Sequence, residues 1–138
     1  MVISKELIDS YGNEFDIMKL SYNLMGMLLD TESVHKRINL LGSTEIFIYG
    51  TDYLGIQLYR AVRDFIKVIA VVDKNGTVSL PVSDIPVIDR KQFAEQYHGQ
   101  KVIIAPVRYC QEIRYDLSTF VPCDKMMYLG EFLEGFLC

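Results

Sequence analysis

Residues 43–138 predict an α/β fold, a parallel sheet of about five strands with helices on both faces, and residues 1–42 predict a helical extension before it. Two observations predict this. Short runs that are apolar at every position recur through residues 43–138, and a strand with no polar alternation is covered on both faces, as parallel strands are. Stretches with helical spacing separate these runs, and strands alternating with helices build βαβ units. The strand order expected of such a winding is 3-2-1-4-5. No internal repeat or low-complexity linker interrupts it.

In the extension, Ser4 can cap a first helix that ends at Tyr11, with Gly12 as its C-terminal glycine. Asn13 and Asp16 resemble a second helix start, and Asp30 or Thr31 a third, closed by Gly42. Ile8, Tyr11, Phe15, Met18, Tyr22, Met25 and Leu29 are spaced 3, 4, 3, 4, 3, 4, which is a heptad seam. Leu20, Leu24, Met27 and Leu28 add apolar surface beside it. The seam can pack on the chain's own globular part. It can equally form a homodimer or dock a partner protein. Its aromatic and Met residues, with Gly12 and Gly26 as interruptions, make it poor coiled-coil material.

The sheet elements follow in order. TEIFIYG (44–50) is a strand ending in glycine, and YLGIQLYRAVRDFIK (53–67) is a helix with Leu54, Leu58, Ala61 and Phe65 on one face. VIAVVDKNG (68–76) is a strand closed by Asp73 and an Asn75-Gly76 turn. IPVID (85–89) is a short third strand. Asp89, with Gln92 three residues on, approximates a capping box for a helix that Gly99 ends. KVIIAPV (101–107) is the fourth strand. RYCQEIRYDLSTF (108–120) is a helix with Ile113, Leu117 and Phe120 inward, stopped before Pro122. KMMYL (125–129) is the fifth strand, and GEFLEGFLC (130–138) a terminal helix or tail.

The net charge of -4, with no basic run, argues against a nucleic-acid partner, whose phosphates ask for a basic face. No apolar stretch approaches the ~20 residues of a membrane span. The N-terminus carries acids and lacks the layout of a signal peptide. Cys110, Cys123 and Cys138 show no metal spacing and read as reduced thiols of a cytoplasmic protein.

The succession IFIYGTDYLGIQLYRAV, VIAVVDKN, IPVIDRKQF, KVIIAPVRYCQEIRYDL and MMYLGEFL resembles the small Rossmann-like domain attached to bacterial sugar-modifying enzymes. That domain accompanies amino-sugar acetyltransferases, nucleoside-diphosphate-sugar epimerase/dehydratase-like proteins and sugar methyltransferases. The order and spacing of several segments carry the resemblance, over roughly residues 44–137, and the N-terminal helices lie outside it. It implies a module that holds a nucleotide or sugar nucleotide, or one that serves as an accessory part of such an enzyme.

Ligands of open parallel sheets bind beyond the carboxyl ends of the strands, at the switch point. There the chain has GTDYLG (50–55), where the dinucleotide fingerprint has G-x-G-x-x-G. Gly50 matches the glycine of the tight turn, and Gly55 the one that lets helix approach strand. Asp52 stands where backbone should meet pyrophosphate. At ~4 Å and an effective dielectric of ~20, two like charges cost on the order of 4 kcal/mol. That offsets much of what a helix N-terminus offers an anion. Asp52 can instead cap the helix beginning near Tyr53. Thr51 and Tyr53 line the cleft or lie on the surface. Asp73 suits either a ribose-accepting acid or a turn residue. Arg108 suits either a bidentate phosphate ligand or a solvated arginine.

For catalysis the sequence offers no P-loop, HExxH, CxxC or nucleophile elbow. Tyr97 and Lys101 mimic a Tyr-x-x-x-Lys pair, but Gly99 breaks the helix between them. The expected function is a non-catalytic accessory module of a bacterial glycan or sugar-nucleotide pathway. The sequence assigns no cofactor; NAD or a nucleotide-sugar is compatible with the fold, and Asp52 disfavours either. Two alternatives stand beside it: a NAD- or sugar-nucleotide-binding part of an enzyme with its catalytic residues elsewhere, and a structural dimerisation domain.

Overall fold

The computed structural model describes residues 17–26, 30–76, 84 and 86–134. The expected first helix and most of the heptad seam lie outside these. Helix α1 covers residues 17–26, and α2 runs Thr31–Leu41. The sheet region then gives β1 Glu45–Tyr49, α3 Tyr53–Val62, β2 Lys67–Val72 and β3 Val87–Ile88. It continues with α4 Arg90–Gln96, β4 Lys101–Ile104, α5 Cys110–Leu117, β5 Met126–Tyr128 and α6 Leu129–Glu134. All strand pairs are parallel, in the order β3-β2-β1-β4-β5.

Because successive strand residues point to opposite faces, β1 divides its side chains between two cores. Ile46 and Ile48 join Leu54, Leu58 and Val62 of α3 on one face, with Phe132 of α6. Phe47 and Tyr49 join Phe93 of α4 and Leu117 of α5 on the other. Both faces of β1 are thus covered, the physical reason its sequence is apolar from Ile46 onward. Val34, Ile38 and Leu41 of α2 and Leu20 and Leu24 of α1 enter the first core. The described part of the helical extension is therefore seated on the sheet region.

Helix ends follow local chemistry. Asp30 caps α2 by accepting the Glu32 N–H, and Gly42 closes it in the left-handed conformation. The capping box at Asp89 and Gln92 is complete, with hydrogen bonds of 2.8 and 2.9 Å running in both directions. Two helices end earlier than their spacing suggests. α3 stops at Val62, so Phe65 reaches the core from a turn, and α4 stops at Gln96, before Gly99. Tyr97 is held by Phe47, Phe93 and Phe120, and its phenol donates to the Gln100 carbonyl at 2.9 Å. This aromatic packing draws the chain out of the helix before the glycine does. Lys101 Nζ donates to the Asp124 carbonyl, so Tyr97 and Lys101 serve packing and a turn.

Cys110, expected as a reduced thiol, is disulfide-bonded, and its partner lies outside the described residues. Cys123 is an exposed free thiol. Spacing among three cysteines carries no pairing signal, which is why the sequence did not reveal the bond. Among the described residues no helix is long and apolar enough to cross a membrane.

Candidate functional site

The ladder brings the carboxyl ends of the strands level. Gly50 N–H donates to the Val72 carbonyl at 2.8 Å, Asp73 N–H to Ile88 at 3.0 Å, and Ala105 N–H to Tyr49 at 2.9 Å. Beyond them the chain leaves β1 for one face of the sheet and β4 for the other, the switch point of the topology. A cleft of about 620 Å³ opens there. Gly50, Thr51, Asp52, Asp73 and Arg108 line it, as do Tyr49, Lys74, Pro106 and Tyr109. Arg90, Glu112, Ile113 and Asp116 complete the wall. The strand-end residues singled out from sequence thus converge. Tyr53 is 70% exposed and outside the lining, and Gly55 is buried beneath it.

The turn after β1 is built by its two glycines. Gly50 has φ 119°, and a Cβ there would stand 2.8 Å from Pro106 Cδ of the turn after β4. A Cβ on Gly55 would collide with the carbonyl oxygen of Gly50. The fingerprint glycines therefore hold α3 against β1 whether or not anything binds. Asp52 is exposed and extended, and its Oδ1 accepts the Gly55 N–H at 3.3 Å. The carboxylate thus caps the N-terminus of α3, the helix end at which dinucleotide-binding folds hold a pyrophosphate.

Thr51 is buried, and its hydroxyl donates to Asp73 Oδ1 at 3.1 Å. Asp73 Oδ2 accepts the Asn75 N–H at 2.9 Å. Asp73 thus joins the turn after β1 to the turn after β2 and fixes two cleft walls relative to each other. Arg90, first residue of α4, grips Asp116 of α5 with contacts of 2.8 and 3.1 Å, and stacks 5.1 Å above the Phe120 ring. The bond to Asp116 raises the Arg90 guanidinium above its ordinary pKa. Burial pushes the Tyr49 phenol upward, and the Asp116 and Asp73 carboxylates push the same way. Tyr49 is a neutral hydroxyl at physiological pH, on the cleft floor.

The turn after β4 is different. Arg108 is exposed and stands two residues before α5, in the turn. Tyr109 follows at φ 62° and ψ 17°, the one non-glycine with positive φ among the described residues. It is 73% exposed and makes no side-chain cap for α5. A bulky residue in this backbone region costs on the order of 1–3 kcal/mol, and such outliers gather at ligand sites.

Sequence reasoning missed Arg90, Glu112 and Asp116. Glu112 and Asp116 are four apart on α5 and so share a helix face, a signal available in the sequence. Arg90 was hidden because it follows the shortest strand, and its contact with Asp116 spans two helices. Comparison of the chain with protein-family models, with curated proteins and with solved structures finds no significant match.

Proposed function

We propose that this chain is a non-catalytic module that binds a sugar-nucleotide-like ligand in the switch-point cleft, as an accessory part of a bacterial glycan or sugar-nucleotide pathway. The observation that carries the proposal is the cleft itself. It lies where parallel sheets bind ligands, with Asp73 among its acceptors and Lys74 and Arg108 on opposite flanks. Hydroxyl groups of the ligand meet Asp73 and Tyr49, and its charged part meets Arg108. The usual pyrophosphate seat at α3 is filled by Asp52.

Support for a binding role over a catalytic one comes from the commitments of the carboxylates. Asp52 caps α3, Asp73 links two turns, and Asp116 is paired with Arg90. Of the four carboxylates in the cleft wall only Glu112 is without such a bond among the described residues, and no histidine lines the cleft beside it. The resemblance to domains of sugar-modifying enzymes supports the pathway.

Calorimetric titration with UDP-sugars, NAD, coenzyme A and S-adenosylmethionine tests the proposal. The expected outcome is weak binding of a UDP-sugar that Arg108→Ala reduces about tenfold, the loss of one charged hydrogen-bonding partner. Micromolar binding of NAD would contradict a blocked pyrophosphate seat. Silence with every ligand would remove the binding role.

A further inference from the structure

We propose, on the reading of the cleft as a sugar-nucleotide site, that Tyr109 and Glu112 form its nucleobase end. The tyrosine ring stacks on a planar base, and the Glu112 carboxylate accepts an N–H from the edge of that base. Both residues line the cleft. Tyr109 is the N-cap residue of α5, and Glu112 stands three residues on, in the first turn. The tyrosine ring is 73% exposed and gives α5 no cap. Neither packing nor capping therefore accounts for a tyrosine at φ 62°.

Glu112 is equally uncommitted. A Glu or Gln three residues after the residue that starts a helix ordinarily reaches back to that residue's N–H. At α4, Gln92 accepts the Asp89 N–H at 2.9 Å, and at α6, Glu131 accepts the Tyr128 N–H at 3.2 Å. Glu112 has the same spacing from Tyr109, yet it makes no such bond and no ion pair among the described residues. The other carboxylates of the wall, Asp52, Asp73 and Asp116, are all held in hydrogen bonds. An ionised carboxylate only accepts, and it repels a phosphate. The group that meets Glu112 is therefore a donor, and the phosphates fall to the cleft cations Arg108 and Lys74. An exposed ring with one acceptor beside it matches a base. Aromatic side chains stack on any base, and a neighbouring polar group reads its edge. Uracil presents an N–H at N3 where cytosine presents a lone pair, so Glu112 favours uracil.

Calorimetric titration of the full chain with UDP, CDP and UDP-glucose tests the proposal. The parent is expected to bind UDP more tightly than CDP. Tyr109→Asn, whose side chain tolerates positive φ, is expected to weaken UDP and UDP-glucose alike by about tenfold. Tyr109→Phe returns the ring and is expected to rescue that loss. Glu112→Gln, whose amide can donate to cytosine N3, is expected to bring the UDP and CDP affinities together. Both side chains are exposed, so each variant should keep the far-UV spectrum of the parent. A Tyr109→Asn variant that binds UDP as tightly as the parent would overturn the proposal. So would a UDP preference that Glu112→Gln leaves unchanged. A loss confined to UDP-glucose would place the sugar on the ring, which overturns it equally. In these outcomes the cleft still binds a nucleotide and only the base assignment falls, whereas a parent that binds neither UDP nor UDP-glucose removes both.

Discussion

Two helix N-termini face the same cleft and are finished in opposite ways. α3 begins after Asp52, whose carboxylate accepts the Gly55 N–H, over a turn that two glycines make tight. α5 begins after Tyr109, which has left-handed backbone, a largely exposed ring and no side-chain cap. In the first turn Asp52 satisfies the Gly55 N–H, and the glycines answer to close packing of helix on strand. The second leaves a conformational cost that nothing in the described fold offsets, and costs left in this way are characteristic of binding sites. The geometry of the glycine turn is accounted for by the close approach of α3 to β1, whereas the positive φ of Tyr109 in the turn beside it is not accounted for by packing.

The largest test of this contrast is Gly55→Ala. Its Cβ would meet backbone at Gly50, which has no flexible end to move aside. The expected loss is about 3 kcal/mol or more in urea unfolding, because α3 must separate from β1. A loss under about 1 kcal/mol would mean that the turn is not the rigid element described.

Legibility from sequence follows the same division. Strand positions, sheet order and the caps at Asp30, Asp52 and Asp89 were legible because each depends on a few adjacent residues. Gly50, Thr51, Asp73 and Arg108 were legible as site candidates because topology alone brings strand ends together. The Arg90–Asp116 pair and the backbone of Tyr109 were not. The pair joins residues 26 apart across two helices. Tyrosine carries no local signal for positive φ, as glycine or asparagine would. The end of α4 at Gln96 likewise answers to Phe47 and Phe120, remote in sequence. The heptad seam was legible as a pattern, but only burial at Leu20 and Leu24 revealed which side of α1 faces its own domain.

Tyr109→Gly tests the other half of the contrast. Glycine adopts φ 62° without strain, so stability should rise by about 1 kcal/mol after its own entropic cost. If the tyrosine ring contacts ligand, affinity should fall in the same variant. A gain in stability with unchanged affinity would reduce Tyr109 to a structural oddity. A loss of stability would show that the ring packs more than its exposure indicates.

The Arg90–Asp116 clamp has a smaller expected effect, because both side chains are partly exposed, at 32 and 52%. A double-mutant cycle with Arg90→Ala and Asp116→Ala should give a coupling of about 0.5–1 kcal/mol, at the upper end for surface pairs because the contact is bidentate. Arg90→Ala should cost more than Asp116→Ala, since it also removes the stacking on Phe120. Equal costs would assign Arg90 to the ion pair alone.

Asp52→Gly has the smallest expected effect on stability and is the sharpest test of the contrast. Glycine is a tolerable cap, so the fold should lose only a few tenths of a kcal/mol, whereas Asp52→Ala should lose about 1 kcal/mol. The glycine variant restores the third element of the fingerprint and removes a negative charge from the α3 N-terminus. If the carboxylate alone closes that end of the cleft, calorimetry should show nucleotide affinity rising with almost no change in unfolding free energy. Affinity that stays flat would mean that the scaffold turn offers no seat even when unblocked. Ligand binding would then depend on the side of the cleft that Arg108 and Tyr109 form.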